Sequence, residues 1–460
     1  MKHIKYIATT LAIAFSTANT EAQTAKSAYF MEGTFHNTLI NPAMNPERNF
    51  ISLPAFGNMS FSVNSNAGLT DFLYPHGDNE LVTFMHKSVD TNEFLSGLPS
   101  TTKIGTNVDM TLLALGFKAW GGYNTFNVTL RSQTNIKLPK GLFEFMKQGL
   151  SRDQYSFSGI DVHSMNYAAL TIGHSREVIE NLRVGTNLKY LIGLGYADFN
   201  VDRMDLKLQN DVWEARSHAS GTLATFGQPS WKLDKDGLIE DLDVELNSLS
   251  ASGFAVDLGA TYDCKDFVDG LKVSASLVDL GFIKWGKAIK AKTLDKTVTF
   301  DGFKEIDVDD FETSVEDQVD AIIDDAEEMI DLYPDGKNAV SVNTNLAATM
   351  YLGAEYDMPF YKPLSVGLLY SNRFSDVAGW YDVRGFVNVA PLKWFEASVN
   401  YGVSTYGSSL GWMLNFHPVG FSMFLGSDYM ITKVTPQFVP TNNMNANFTF
   451  GISIPFGKKG

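Results

Sequence analysis

The 460-residue chain contains a single cysteine, Cys264, which rules out an intrachain disulfide and any metal site built from several thiolates. Cations are also in short supply: 36 Lys and Arg stand against 52 Asp and Glu, a formal charge of −16. That balance argues against nucleic-acid binding, because neutralising phosphates takes clustered Lys and Arg. The 8 histidines include no pair at metal-ligand spacing, so neither a metal nor another cofactor is expected. Beyond the N-terminal stretch, no segment approaches the roughly 18 consecutive apolar residues of a membrane helix. Any membrane crossing must therefore be made by strands.

Glycine and aromatics are plentiful instead: 38 Gly, 33 Phe and 18 Tyr in a chain of ordinary mean hydropathy, −0.08. A membrane barrel has this profile, since polar residues facing its lumen offset apolar ones facing lipid. The clearest stretch is the last, Ala446–Phe456, reading ANFTFGISIPF. Ala446, Phe448, Phe450, Ile452, Ile454 and Phe456 share one face of an extended strand, opposite Asn447, Thr449, Gly451, Ser453 and Pro455. Its length is that of a tilted membrane strand, about 9–11 residues. At the other end, Lys2 and Lys5 precede an apolar run at 7–15 and a Thr20-Glu21-Ala22 cleavage signal before Gln23. Residues 1–22 thus have the layout of a secretory signal peptide, and the protein is expected in a bacterial outer membrane.

Fourteen alternating segments can be placed, near 59–67, 104–118, 123–138, 162–173, 182–194, 253–262, 271–283, 341–356, 364–372, 381–389, 395–404, 410–416, 421–427 and 446–456. Connections after the odd-numbered segments are mostly long and polar, above all 67–103, 139–161, 196–251 and 284–340, whereas those after even-numbered ones are uniformly short. Outer-membrane barrels sort their loops in this way and carry an even number of strands. The expected fold is all-β: a closed antiparallel transmembrane β-barrel of about 14 strands over residues 51–460.

Residues 23–50 differ. They hold Asn41-Pro42-Ala43 and Asn45-Pro46, successive turn formers that cannot sit inside a sheet, so this segment is expected to form a plug or hatch within or beneath the barrel. Two amphipathic stretches, 142–150 and 311–332, are expected to be helices in extracellular loops. The second lies in an acidic run, 305–331, with 13 Asp or Glu and no Lys or Arg. A divalent-cation surface, a docking helix for a basic partner and a plain solvated helix are all compatible with it.

Catalytic signals are weak, and no enzyme activity is expected. Gly407-Ser408-Ser409-Leu410-Gly411 has the spacing of a hydrolase nucleophile elbow, but strands flank it where a helix should follow. Roughly seven residues of strand at ~3.4 Å each would separate Ser409 from His417. Residues 281–288 miss the Ser or Thr of a phosphate-binding loop, and 234–237 lack the later ligands of a calcium loop. More informative are charges on the polar phase of the strands. Asp109, Arg131, Lys189, Arg384 and Glu396 are the candidate ligand contacts of the lumen, with Asp257 and Glu355 on the same phase. Such charges either line a permeation path or pair with one another and with residues 23–49.

Two stretches carry a resemblance. Asn41-Pro42-Ala43 after an exported start resembles the opening of the long-chain fatty-acid transporter superfamily, and that of barrels associated with type IX secretion. Residues 276–285, SLVDLGFIKW, resemble a recurrent segment of an uncharacterised Bacteroidota outer-membrane family of the same architecture. The resemblance covers nearly all of the mature chain and implies a barrel of this size with an internal hatch and an apolar pocket. It brings no established substrate. Residues 24–49 are short for a hatch, and Lys458 and Lys459 follow Phe456 where a terminal aromatic normally ends such barrels. Two functions follow: a passive channel or transporter for a hydrophobic or amphipathic small solute, or a non-transporting structural barrel that binds envelope proteins as an accessory of a secretion or motility complex. Outer-membrane lipid is a partner in either case.

Overall fold

A strand with one apolar and one polar face is stable in a bilayer only if its edges are also paired, because an open edge would leave backbone donors and acceptors in hydrocarbon. The computed structural model meets this demand by closure. It describes residues 26–457 apart from 32, 47, 77–79, 150, 209–212, 247–248, 295, 301–330, 337, 376–378 and 431–444. The barrel strands are β1 (Asn58–Ser65, preceded by the short Asn49–Ser52), β2 (Thr101–Ala119), β3 (Gly122–Pro139), β4 (Ile160–Ile179), β5 (Leu182–Leu208), β6 (Ala251–Asp263) and β7 (Leu271–Lys292). They continue with β8 (Thr349–Asp357), β9 (Leu364–Arg373), β10 (Trp380–Leu392), β11 (Phe395–Ser404), β12 (Gly407–Phe416), β13 (Ser422–Ser427) and β14 (Ala446–Phe456). Each pairs antiparallel with the next, and β14 returns to β1 with Met59 opposite Phe450 and Phe61 opposite Phe448. All fourteen alternating segments of the sequence are present in a closed 14-strand barrel.

Register fixes which face is which. Ser60, Asp109 and Arg131 fall in one inward row across β1, β2 and β3. Met59, Met110 and Leu130 fall in the neighbouring outward row, continued by Phe450 and Leu425. The outward rows are the apolar set of every strand, so the wall presents a continuous hydrophobic belt.

The long excursions depart from simple loops. β5 has 27 residues, and at about 3.3 Å per residue its ~90 Å length far exceeds a bilayer crossing. Its upper half, 195–208, pairs with Trp213–Thr225, which in turn pairs with the top of β7. Trp213–Thr225 therefore continues the position of β6 between β5 and β7, and the two pieces are separated by an excursion that carries a hairpin, Gln228–Leu233 with Ile239–Glu245. Alternation is broken there by a bulge, since Arg203 pairs with His218 and Val201 with Ala219, leaving Asp202 between them unopposed. A helix at Lys140–Gln148 packs Phe143 against Phe84, Phe94, Leu95 and Leu98 of the first long loop, close to the expected amphipathic patch at 142–150. The acidic stretch 311–332 lies almost wholly outside the described residues.

The outward assignment of β14 is testable. Phe450→Arg or Ile452→Arg should lose about 2–4 kcal/mol near the bilayer midplane, measured by urea unfolding from phospholipid vesicles. Unchanged insertion and midpoint would mean that the face has been assigned wrongly.

Candidate functional site

Residues 26–46 lie against the inner wall of the barrel and reach from Glu396, at the short-turn end of β11, to Trp380 and Asp428, at the long-loop ends of β10 and β13. Two short 3-10 turns, Lys26–Ala28 and His36–Leu39, keep the segment compact, and nearly every residue in it is buried. The wall makes room with glycine. A Cβ at Gly185 or Gly259 would collide with Asn41-Pro42, and one at Gly367 would stand 2.7 Å from the Phe30 ring. Glycine within a strand commonly marks such a close approach. Asn41 sends its side-chain amide towards the carbonyls of Ala260 and Ala275, both at 3.4 Å, while its Oδ1 accepts from Ala43 N at 2.9 Å. Ser276 donates to the Ile40 carbonyl at 2.8 Å. The sequence motif Asn41-Pro42-Ala43 is thus a tight Asx turn seated on β6 and β7.

Higher on the same wall is a buried charge cluster. Arg131 reaches Asp279 at 2.6 Å and Asp109 at 3.2 Å; Lys189 reaches Asp279 at 2.6 Å and Asp257 at 2.7 Å. Asn187 adds a bond to Asp257 at 2.9 Å. Three carboxylates and two cations leave the cluster one charge negative. Asp279 belongs to both halves, and it enters by a bulge. Exposed positions on β7 are Val273 and Ala275, then Leu280, Phe282 and Lys284, so the outward phase slips from odd to even. Across the slip, Val256 opposes Leu280 and Leu258 opposes Leu277, which sets Asp257 against two residues. Asp279 takes φ +61°, and its N–H donates to Asp257 Oδ1 at 2.8 Å.

A second cluster ties down the start of the segment. Lys26 Nζ lies 3.3 Å from Asp382 and 4.1 Å from the centre of the Trp380 ring. Arg384 binds the same Asp382 at 3.1 Å, Asn400 at 2.6 Å and Ser409 Oγ at 2.9 Å. Asp428 accepts the backbone N–H groups of Lys26 and Ser27 at 3.0 and 2.8 Å. Glu396 holds a third point, taking the Gly33 N–H at 3.1 Å with His417 3.6 Å away.

Above the Asp279 cluster the inner wall turns apolar. Met165, Tyr167, Leu191, Tyr196, Ile283 and Trp285 form one buried group. Trp285 stacks on Tyr196 with ring centres 5.5 Å apart and donates its indole N–H to Thr344 at 2.9 Å. At the short-turn mouth, a cleft of about 240 Å³ separates Tyr29, Phe30 and Met44 of the segment from Arg183, Lys272 and Glu355 of the wall.

Of the five candidate lumen residues, the fold brings together Asp109, Arg131 and Lys189. Arg384 and Glu396 stand apart from them and from each other, each within reach of the N-terminal segment. Asp279, Asp382, Asp428 and Lys26 were not foreseen. The phase slip between Leu277 and Leu280 was the available signal for Asp279. Ser409 and His417 lie at opposite ends of β12 in different clusters. Residues 281–288 are a stretch of β7, and Asp234-Lys235-Asp236-Gly237 is a hairpin turn closed by Asp234 Oδ1. Among the described residues no group of three or more His, Cys, Asp or Glu side chains could hold a metal.

The shared role of Asp279 sets an order of losses. Lys189→Met strands the buried Asp257 and should cost about 3–5 kcal/mol, the usual result of orphaning one member of a buried pair. Asp279→Asn keeps the shape, tolerates the positive φ and leaves Arg131–Asp109 and Lys189–Asp257 intact, so it should cost less. Urea midpoints in vesicles would show the order, and equal losses would contradict the shared cluster.

No curated protein matches the chain in sequence. Among solved structures, the toluene transporter TodX of P. putida is 9% identical with a TM-score of 0.39, over 96% of this chain and 97% of that one. A FadL homologue of Pseudomonas aeruginosa is 11% identical with a TM-score of 0.43, over 96% and 100%. A triple mutant of the Rhodopseudomonas blastica porin is 11% identical at a TM-score of 0.23, over 88% and 100%. At such scores the fold rests on the strand pairing itself. Residues 42–428 match the family of unknown function DUF5723, and the chain belongs to that family.

Proposed function

We propose that the protein is an outer-membrane barrel offering a passive path to hydrophobic or amphipathic small solutes, with residues 26–46 as the stopper of that path. The long loops then face the cell exterior and the short turns the periplasm. The observation that carries this reading is the inward apolar group around Trp285. A water-filled pore lines its lumen with polar side chains. An apolar inner wall at that height instead suits a ligand that leaves water for the barrel interior. The charges at Asp109, Arg131, Lys189, Arg384 and Glu396 act in this reading as wall and stopper anchors, with any solute contact secondary.

Displacing the stopper should raise permeation. Gly259→Leu, and Gly185→Leu separately, push into Asn41-Pro42 from the outward-closed wall and should leave the barrel's own pairing unchanged. In proteoliposomes, uptake of a neutral aromatic hydrocarbon and of a medium-chain fatty acid should rise in these variants over the native chain. No uptake by any of the three proteins, together with no ligand carried through purification, would overturn the reading.

A second reading, a non-transporting barrel that binds envelope proteins, draws on the anchoring of the segment at Asp428, Asp382, Glu396 and Ser276. Under it, Gly259→Leu lowers stability and changes no flux.

A further inference from the structure

Two buried donors of the barrel interior have nothing to donate to, and they sit on one rung of the sheet. Arg373 ends β9 on the long-loop side and pairs directly with Trp380, the first residue of β10. Residues opposed in this way share a face, with Cβ atoms about 4.5–5.5 Å apart. Both side chains are buried on the inner wall, Arg373 at 8% exposure and Trp380 at 6%. Neither Arg373 Nε nor the Trp380 indole Nε1 has a hydrogen-bond partner among the described residues. A buried indole N–H normally finds an acceptor, and a buried guanidinium normally finds a carboxylate.

The inward carboxylates are engaged elsewhere. Asp382, two residues along β10, holds Lys26 and Arg384, and Asp279 holds Arg131 and Lys189. Lys26 and Arg384 are balanced by Asp382 and Asp428, so Arg373 leaves the described wall around Trp380 one charge positive. The one acceptor that Arg373 reaches is neutral, the side-chain oxygen of Gln133 at 2.7 Å. Gln133 belongs to β3, almost diametrically across the barrel from β9, so this bond is a bar across the lumen. Beside Gln133 on the next strand is Met165, a member of the apolar group around Trp285.

We propose that Arg373 and Trp380 form a carboxylate-receiving site in the lumen, one that deepens the passive-path reading by naming the head group of the solute. One carboxylate oxygen for the guanidinium and one for the indole satisfies both orphaned donors at once, and the hydrocarbon of the solute then lies towards Met165. A charge-assisted bond is roughly twice as strong as one to a neutral acceptor, so the carboxylate displaces Gln133 from Arg373. The bar across the lumen opens as the head group binds. A neutral solute of the same shape gains nothing from either donor. The site rests on that reading for access to the lumen.

Equilibrium dialysis of the full-length barrel in a neutral detergent, against hexanoate and against 1-hexanol, tests the site. The native chain should bind hexanoate more tightly than hexanol. Arg373→Met should weaken hexanoate by roughly 10- to 100-fold, the loss of a hydrogen bond to a charged group. Trp380→Phe keeps a ring beside Lys26 and should weaken it by roughly three- to tenfold, with hexanol unchanged in both variants. Because the lost charge had no carboxylate partner, the urea midpoint of Arg373→Met in vesicles should hold or rise. Hexanoate bound no tighter than hexanol, or bound equally by the native chain and Arg373→Met, would overturn the proposal. A lowered midpoint with both probes weakened alike would also overturn it, since Arg373 would then be a tie between two walls. Hexanoate binding that depends on Arg373 without uptake into proteoliposomes would uphold the site and bring down the path.

Discussion

Asp279 faces inward at a point where the pleat of β7 would otherwise have sent it to the outer apolar face, and the bulge that turns it round also sets the geometry of everything near it. The costs explain why the bulge persists. A non-glycine residue at positive φ carries a penalty of order 1–3 kcal/mol, less for Asp than for most. Turned outward, Asp279 would lose its bonds from both Arg131 and Lys189 and set an unpaired carboxylate among apolar side chains, which costs several kcal/mol, of order 3–5 by the measure of a broken buried pair. With Arg131 and Lys189 both bound to Asp279, the strained backbone is the smaller loss.

The family segment 276–285 then reads as one device in three parts. Ser276 holds the N-terminal segment through the Ile40 carbonyl, Asp279 closes the charge cluster, and Ile283 and Trp285 begin the apolar wall. The phase slip is what allows this, since without it Ser276 and Trp285 could not both face inward. The seat of the N-terminal segment, the charges and the apolar interior are therefore stacked along a single strand, and a shift in register there would disturb all three.

Most of the barrel was legible in the sequence because a period of two is a local property, and each strand displays it alone. Loop lengths added the closure and the even count. The likeness of residues 276–285 to an uncharacterised family is borne out by the match over 42–428. The site was less legible. Arg131 and Lys189 could be placed in the lumen from phase, but their partners depend on strands far apart in the chain, and Asp279 violates the very alternation used to find inward residues. Lys26 and Asp428 are joined across almost the whole sequence. The extension of β5 was only partly visible, since the bulge at Asp202 shifts its apolar phase from Phe199 and Val201 to Met204, Leu206 and Leu208.

The interrupted sixth position of the barrel has a further consequence. The excursion between Thr225 and Ala251 leaves and returns at one spot, where Ser250 N–H meets the Phe226 carbonyl at 3.2 Å and the Ser250 carbonyl accepts from Gly286. Chain can be lengthened or exchanged between those two residues without altering any register below it, because the closing contact already exists. A lineage carrying this barrel could therefore vary the surface farthest from the short turns while conserving every strand of the barrel, and a foreign peptide spliced there would be displayed at the same height.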